Sequence, residues 1–127
     1  MAKSGRITGE IKSGKHFIKV NLNLVSWYED GIYYVFAPML EVTGYGKTES
    51  EANESFTITL EETLTYMINK KTIFDEFERL GWMVNRKRLK VQAPSLDEVK
   101  ETNEEVRNIY SIPGLRATQR SVELPLA

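Results

Sequence analysis

A chain of 127 residues with 41% hydrophobic side chains has the size and apolar content of one domain with its own core. Its 28% charged residues and net charge of −1 create no global field that would draw it to nucleic acid or to a membrane. The absence of cysteine excludes disulfides, thiolate nucleophiles and thiolate metal sites.

The first fifteen residues carry Gly5, Gly9 and Gly14 among polar side chains and read as a flexible N-terminal arm, with one short strand around Ile7 to Ile11. No apolar stretch of signal-peptide or membrane-spanning length occurs, so a cytoplasmic location is expected. From Ile18 the pattern alternates strictly. Ile18, Val20, Leu22 and Leu24 fall on one face and Lys19, Asn21 and Asn23 on the other, which predicts a half-buried strand. Glu29-Asp30-Gly31 is a hairpin signal, because a tight turn needs positive φ. Ile32 to Ala37 is apolar or aromatic throughout, as expected of a central strand, and Pro38 ends it. Glu41 to Tyr45 reads as a third, shorter strand. The three form an antiparallel meander.

A long helix is expected from Thr48. Thr48-Glu49-Ser50-Glu51 has capping-box form, and acidic residues in the opening turns favour the positive end of the helix dipole. Ala52, Phe56, Leu60, Leu64, Met67 and Ile68 make its apolar stripe, and Ile58 lies off it. Thr72 is placed to cap a second helix with Phe74, Phe77 and Leu80 on its apolar side and Gly81 at its stop. Trp82 to Val91 reads as a fourth strand. Arg86, Arg88 and Lys90 share one face of it, with Lys87 and Leu89 on the other. Beyond Pro94, Ser95-Leu96-Asp97-Glu98 has the form of another capping box, and Asn103 to Val106 adds a further helical turn. Ile112-Pro113-Gly114 is a turn, and Arg120 to Pro125 reads as an edge strand or a docking tail. The fold class is therefore α+β in the order β-β-β-α-(α)-β, with the main helix on one face of the sheet and a short-helical C-terminal extension. The divisions are an arm over 1–15, a core domain over 16–92 and an extension over 93–127.

Catalytic chemistry finds few candidates. His16 is the only histidine, so a transition-metal site would have to be carboxylate-rich, and a Ser-His-Asp relay would need His16 as its base, with Ser13 and Ser26 nearby but no nucleophile-elbow motif. Gly44-Tyr45-Gly46-Lys47-Thr48 ends like a phosphate loop, but Glu41 stands where its first glycine belongs. No converging set of carboxylates is evident. The expectation is a protein that is not an enzyme and needs no metal or cofactor. Arg86, Arg88 and Lys90 either meet phosphates or an acidic protein surface, or protect an edge strand by charge.

The ordered set Glu29-Asp30-Gly31, Tyr33-Tyr34-Val35-Phe36, Pro38, Leu40, Gly44, Gly46, Thr48, Glu51 and Ala52 resembles the HicB antitoxin family, with a looser likeness as far as Leu80. The resemblance implies a truncated RNase H-like fold without the nuclease carboxylates. It also implies a neutralising role: contact with a small, basic, HicA-type RNA-cleaving toxin whose active site is covered. Assembly into dimers or tetramers through the sheet is implied as well. Many members bind an operator through a C-terminal helix-turn-helix or ribbon-helix-helix. Residues 93–127 depart from that pattern, being acidic from Asp97 to Glu105 and lacking two amphipathic helices. A nucleic-acid-binding regulator, or a solitary HicB-like protein without a toxin, is the alternative. The candidate partner-binding residues are Tyr33, Ile58, Arg86, Arg88 and Lys90.

Overall fold

The computed structural model describes residues 17–125; the expected arm, its short strand and His16 lie outside them. The alternating run forms β1 (Phe17–Glu29), which turns through Asp30 and Gly31 into β2 (Ile32–Ala37). Both turn residues have positive φ, 53° and 84°, the geometry that matches the twist of a two-residue hairpin. The next connection opens with Pro38, and the Ala37 carbonyl accepts from the amides of both Leu40 and Glu41. Glu41 is left-handed, with φ of 55°, so β3 (Val42–Gly46) starts one residue later than its sequence suggests.

The helix α1 (Glu49–Asn69) begins at Thr48, whose hydroxyl accepts the Glu51 amide at 3.1 Å. The Glu51 carboxylate reaches one residue beyond the capping-box position and accepts from the Lys47 amide at 2.9 Å. Ala52, Phe56, Leu60, Leu64 and Met67 are buried on the face turned to the sheet. The contact with β3 is close. A Cβ on Gly44 would collide with the backbone of Phe56 and lie 2.7 Å from the Ala52 carbonyl oxygen, and one on Gly46 would lie 2.5 Å from the Glu51 Cβ.

The helix ends in a Schellman turn. The Thr72 amide bonds to the Met67 carbonyl and the Lys71 amide to the Ile68 carbonyl, with Lys71 at a φ of 61° where glycine is usual. The Thr72 hydroxyl also turns to the Met67 carbonyl, so it does not cap α2 (Ile73–Arg79) as its position suggests. A second Schellman turn closes α2 with Gly81 at a φ of 92°. Its hydrophobic clasp is Trp82 stacked on Phe77 at 4.8 Å. The buried Trp82 indole N–H donates to the Met39 carbonyl at 2.8 Å and ties this turn to the β2–β3 connection.

The expected single strand over Trp82 to Val91 is not formed. The segment folds on itself as a hairpin of β4 (Met83–Asn85) and β5 (Lys90–Gln92), separate from the main sheet. Two local features bend it: the Asn85 side chain accepts the Arg88 amide at 3.0 Å, and Leu89 takes a φ of 54°. The fourth strand of the sheet comes instead from the C-terminal extension. There α3 (Leu96–Thr102) carries the expected capping box of Ser95 and Glu98, and α4 (Glu104–Tyr110) is capped by Asn103. The chain then enters β6 (Arg116–Pro125), which pairs antiparallel with β1 from Phe17 opposite Pro125 to Ser26 opposite Arg116. The sheet order is β3-β2-β1-β6, with β6 at one edge. Val99, Val106, Val122 and Leu124 join the same core as β1 and α1, so the extension contributes to it directly. Val25 and Phe36 face away from α1 and are buried too, so the middle of the sheet is covered on both sides.

Replacing Gly44 with Ala is expected to destabilise the protein by about 1–3 kcal/mol in urea unfolding, because backbone on both sides must move. Lys71→Gly is expected to raise stability by up to about 1 kcal/mol, since it removes a left-handed side chain at the cost of a looser unfolded chain. A loss of stability in Lys71→Gly would contradict the strain ascribed to that turn.

Candidate functional site

The five residues singled out in the sequence do not converge. Tyr33 is half-buried on β2, its ring 4.7 Å from that of Tyr28. Ile58 is 48% exposed on α1, and Tyr66, 62% exposed, lies two turns further along the helix. Arg86 and Arg88 sit in the turn between β4 and β5, and Lys90 begins β5, so the three do not form the single strand face expected of them. Arg86 is engaged at home. Its guanidinium bonds to Asp75 at 2.8 Å and Glu78 at 2.7 Å and lies 5.6 Å from the Phe74 ring centre. The hydrogen bonds to Asp75 and then Glu78 hold its pKa above the usual arginine value. Lys87, Arg88 and Lys90 remain as an exposed basic hairpin tip.

The exposed side of α1 carries a row at four-residue spacing: Glu54, Ile58, Glu62 and Tyr66. All four are exposed; Ile58 stands between two carboxylates, and the Lys70 ammonium lies 5.7 Å from the centre of the Tyr66 ring. Among the described residues no group of three or more His, Cys, Asp or Glu is placed to hold a metal ion.

On the other side of α1 a concavity of about 630 Å³ opens between the first turns of the helix and β6. Leu24 and Ser26 of β1 and Tyr33 and Val35 of β2 contribute to it. Two arginines of β6 reach across to the helix. Arg116 pairs with Glu49 at 2.7 Å, and Arg120 donates to the Asn53 side-chain oxygen at 3.1 Å. The Arg120 guanidinium lies 5.5 Å from the centre of the Phe56 ring, and burial pulls its pKa below the usual arginine value. Arg116, Arg120 and Asn53 are absent from the sequence-derived candidates. A strand beginning at Arg116 would have put both arginines on one face, but Arg116 to Gln119 are exposed and lack apolar alternation, so the strand start is hidden.

An aromatic row crosses three strands on the sheet face away from α1. Trp27 stacks on Tyr34 at 5.1 Å with the planes 16° apart, and Tyr34 meets Tyr45 at 6.4 Å. The register explains the row, since Trp27 is opposite Tyr34 and Tyr34 opposite Tyr45. The Trp27 indole N–H is buried with no hydrogen-bond partner among the described residues, in contrast with Trp82.

These elements define an α+β protein built on a four-stranded antiparallel sheet with four helices, and among the described residues no helix is long and apolar enough to cross a membrane. Compared with known protein families, curated proteins and solved structures, the chain matches none.

The two tryptophans are expected to respond differently to loss of the indole N–H. Trp82→Phe strands the buried Met39 carbonyl and is expected to cost about 1–3 kcal/mol more in urea unfolding than Trp27→Phe, where no bond is lost. Equal losses would show that packing area alone sets both values.

Proposed function

We propose that this protein acts by contact, as an antitoxin-like binder that covers a small, basic, HicA-type RNA-cleaving toxin with the exposed side of α1. The observation that carries this reading is exposed Ile58, flanked by Glu54 and Glu62, with exposed Tyr66 one turn beyond Glu62 and Lys70 against its ring. Aromatic and aliphatic anchors within a charged rim are the usual energetic centre of a protein interface. The carboxylates beside Ile58 favour a basic partner and speed its approach. The likeness of residues 29–52 to HicB antitoxins supports the same reading, as does the β-β-β-α order from Phe17 to Asn69. Self-association into dimers or tetramers belongs to this proposal, to be checked by sedimentation of the isolated chain.

The test is co-expression with the product of an adjacent short reading frame that encodes a small basic protein. A complex is expected, with toxicity suppressed. Ile58→Ala combined with Tyr66→Ala is expected to weaken it at least tenfold without lowering the unfolding midpoint. Glu54→Lys with Glu62→Lys is expected to slow association and flatten its salt dependence. No complex with that neighbour, or a complex indifferent to both pairs, would sink the reading.

A second reading draws on the exposed Lys87, Arg88 and Lys90 at the hairpin tip, which suit phosphate contacts. With Arg86 engaged by Asp75 and Glu78, this surface is small. Nucleic-acid retardation at low salt that disappears in Arg88→Glu would favour it over the toxin-binding reading.

A further inference from the structure

The concavity between the first turns of α1 and β6 has an apolar floor formed by Leu24, Val35 and Ala52. The strand register sets the side chains around that floor. Leu24 is opposite Thr118, and Ser26 is opposite both Val35 and Arg116, so these side chains share the face that looks toward α1. Arg120 lies two residues beyond Thr118 and therefore on the same face, about 7 Å further along the strand. A volume of about 630 Å³ is in the range of sites that hold a small organic molecule.

The polar groups at its border are unspent. The hydroxyls of Ser26, Tyr33 and Thr118 make no hydrogen bond among the described residues. Arg120 donates once, to Asn53, although a guanidinium carries five N–H donors. It takes part in none of the ion pairs formed among the described residues, whereas Arg116 on the same border is matched by Glu49. The groove thus presents one unmatched cation and three hydroxyls around an apolar floor. The cation is half-buried against the Phe56 ring, and burial disfavours its charged form. An anion beside it offsets that penalty.

The surroundings choose the anion. A phosphate dianion is best met by several positive groups or by an open helix N-terminus. Here Arg116 is taken by Glu49, the Thr48 hydroxyl accepts the Glu51 amide, and Glu49 and Glu51 place negative charge in the first turn of α1. A monocarboxylate needs one guanidinium, which it meets with two parallel N–H bonds. The apolar floor suits a flat hydrocarbon body. Ser26, level with Arg116, stands further along the groove from Arg120 and offers its hydroxyl to a polar group at the other end of that body.

We propose that this groove binds a small aromatic monocarboxylate, with the carboxylate on Arg120 and the ring over Leu24 and Val35. The site lies on the β6 side of α1 and does not depend on the toxin-facing side.

The test is a titration of the isotope-labelled full chain with para-hydroxybenzoate, followed in proton–nitrogen correlation spectra that include arginine Nε–H and asparagine side-chain signals. Saturable shifts are expected at the Arg120 Nε–H, the Asn53 side-chain amide and the Thr118 backbone amide. The uncharged para-hydroxybenzamide, which keeps the ring, is expected to bind at least tenfold more weakly. Inorganic phosphate is expected to give no saturable shift at these groups. Arg120→Lys, which keeps the charge but not the fork, is expected to weaken binding of para-hydroxybenzoate severalfold, and so is Ser26→Ala combined with Thr118→Val. No saturation at millimolar para-hydroxybenzoate, shifts confined to other surfaces, or equal affinity for the benzamide or for phosphate would overturn the proposal. Unchanged affinity in a folded Arg120→Lys protein would do the same. The comparison of probes uses the unaltered protein, so it decides the matter even where a variant fails to fold. Because none of these arms involves Ile58 or Tyr66, a failure here is distinguishable from a failure of the toxin reading.

Discussion

The close seat of α1 on β3 fixes where the rest of the molecule lies. Gly44 and Gly46 present no side chains where the helix arrives, so helix backbone and strand backbone approach to a distance that a single methyl group would prevent. A helix with its side chains is about 10–12 Å across, while strands are spaced about 4.8 Å apart. A helix pressed onto β3 therefore covers little more than two strands where it starts. Its opening turns lean on β3 and β2, and the Arg116–Arg120 half of β6 is left open on the same face. The groove results from that offset, and the reach of Arg116 and Arg120 to Glu49 and Asn53 is how the uncovered strand is tied back to the helix.

Much of the fold is legible in the sequence because its local signals agree with one another. Alternation, Asp30-Gly31, Pro38, the Thr48 cap and the stripe from Ala52 to Met67 each specify what the others require, and the three-stranded meander with its helix follows. The Trp82 to Val91 segment is misread because strand period and hairpin period look alike over ten residues. What bends it is an Asn85 side chain, a turn residue with no Gly or Pro beside it, and a left-handed Leu89, which no turn preference anticipates. Glu41 and Lys71 raise the same difficulty: both take positive φ without being glycine, held there by backbone hydrogen bonds that only the folded chain supplies.

The candidate site is less legible than the fold. Ile58 is visible as an apolar residue off the helical stripe, and the structure leaves it exposed with Tyr66. The basic residues are visible as a cluster, yet which of them stays available depends on α2. Asp75 and Glu78 are eleven and eight residues before Arg86, and only the fold of that turn brings them to it. The groove is invisible because it joins residues 49–53 to residues 116–120. That distance in sequence carries no periodicity, and the strand concerned is polar on both faces at its start.

A net charge near zero conceals surfaces of opposite charge on either side of one helix. The outer row of α1 keeps Glu54 and Glu62 in water on either side of Ile58, while the inner border of the same helix meets the arginines of β6. Glu49 is drawn to Arg116 and Glu51 to the Lys47 amide, so the acidic cluster near the helix start is partly used in holding the fold. What remains exposed is therefore better ordered than the sequence clusters imply. The outer acidic row stands in water, whereas the Arg120 guanidinium is half-buried against the Phe56 ring. Contacts to that guanidinium weaken less with salt, because a site partly removed from water is less screened. Ionic strength thus separates the two surfaces physically, even though both belong to the same helix and its neighbouring strand.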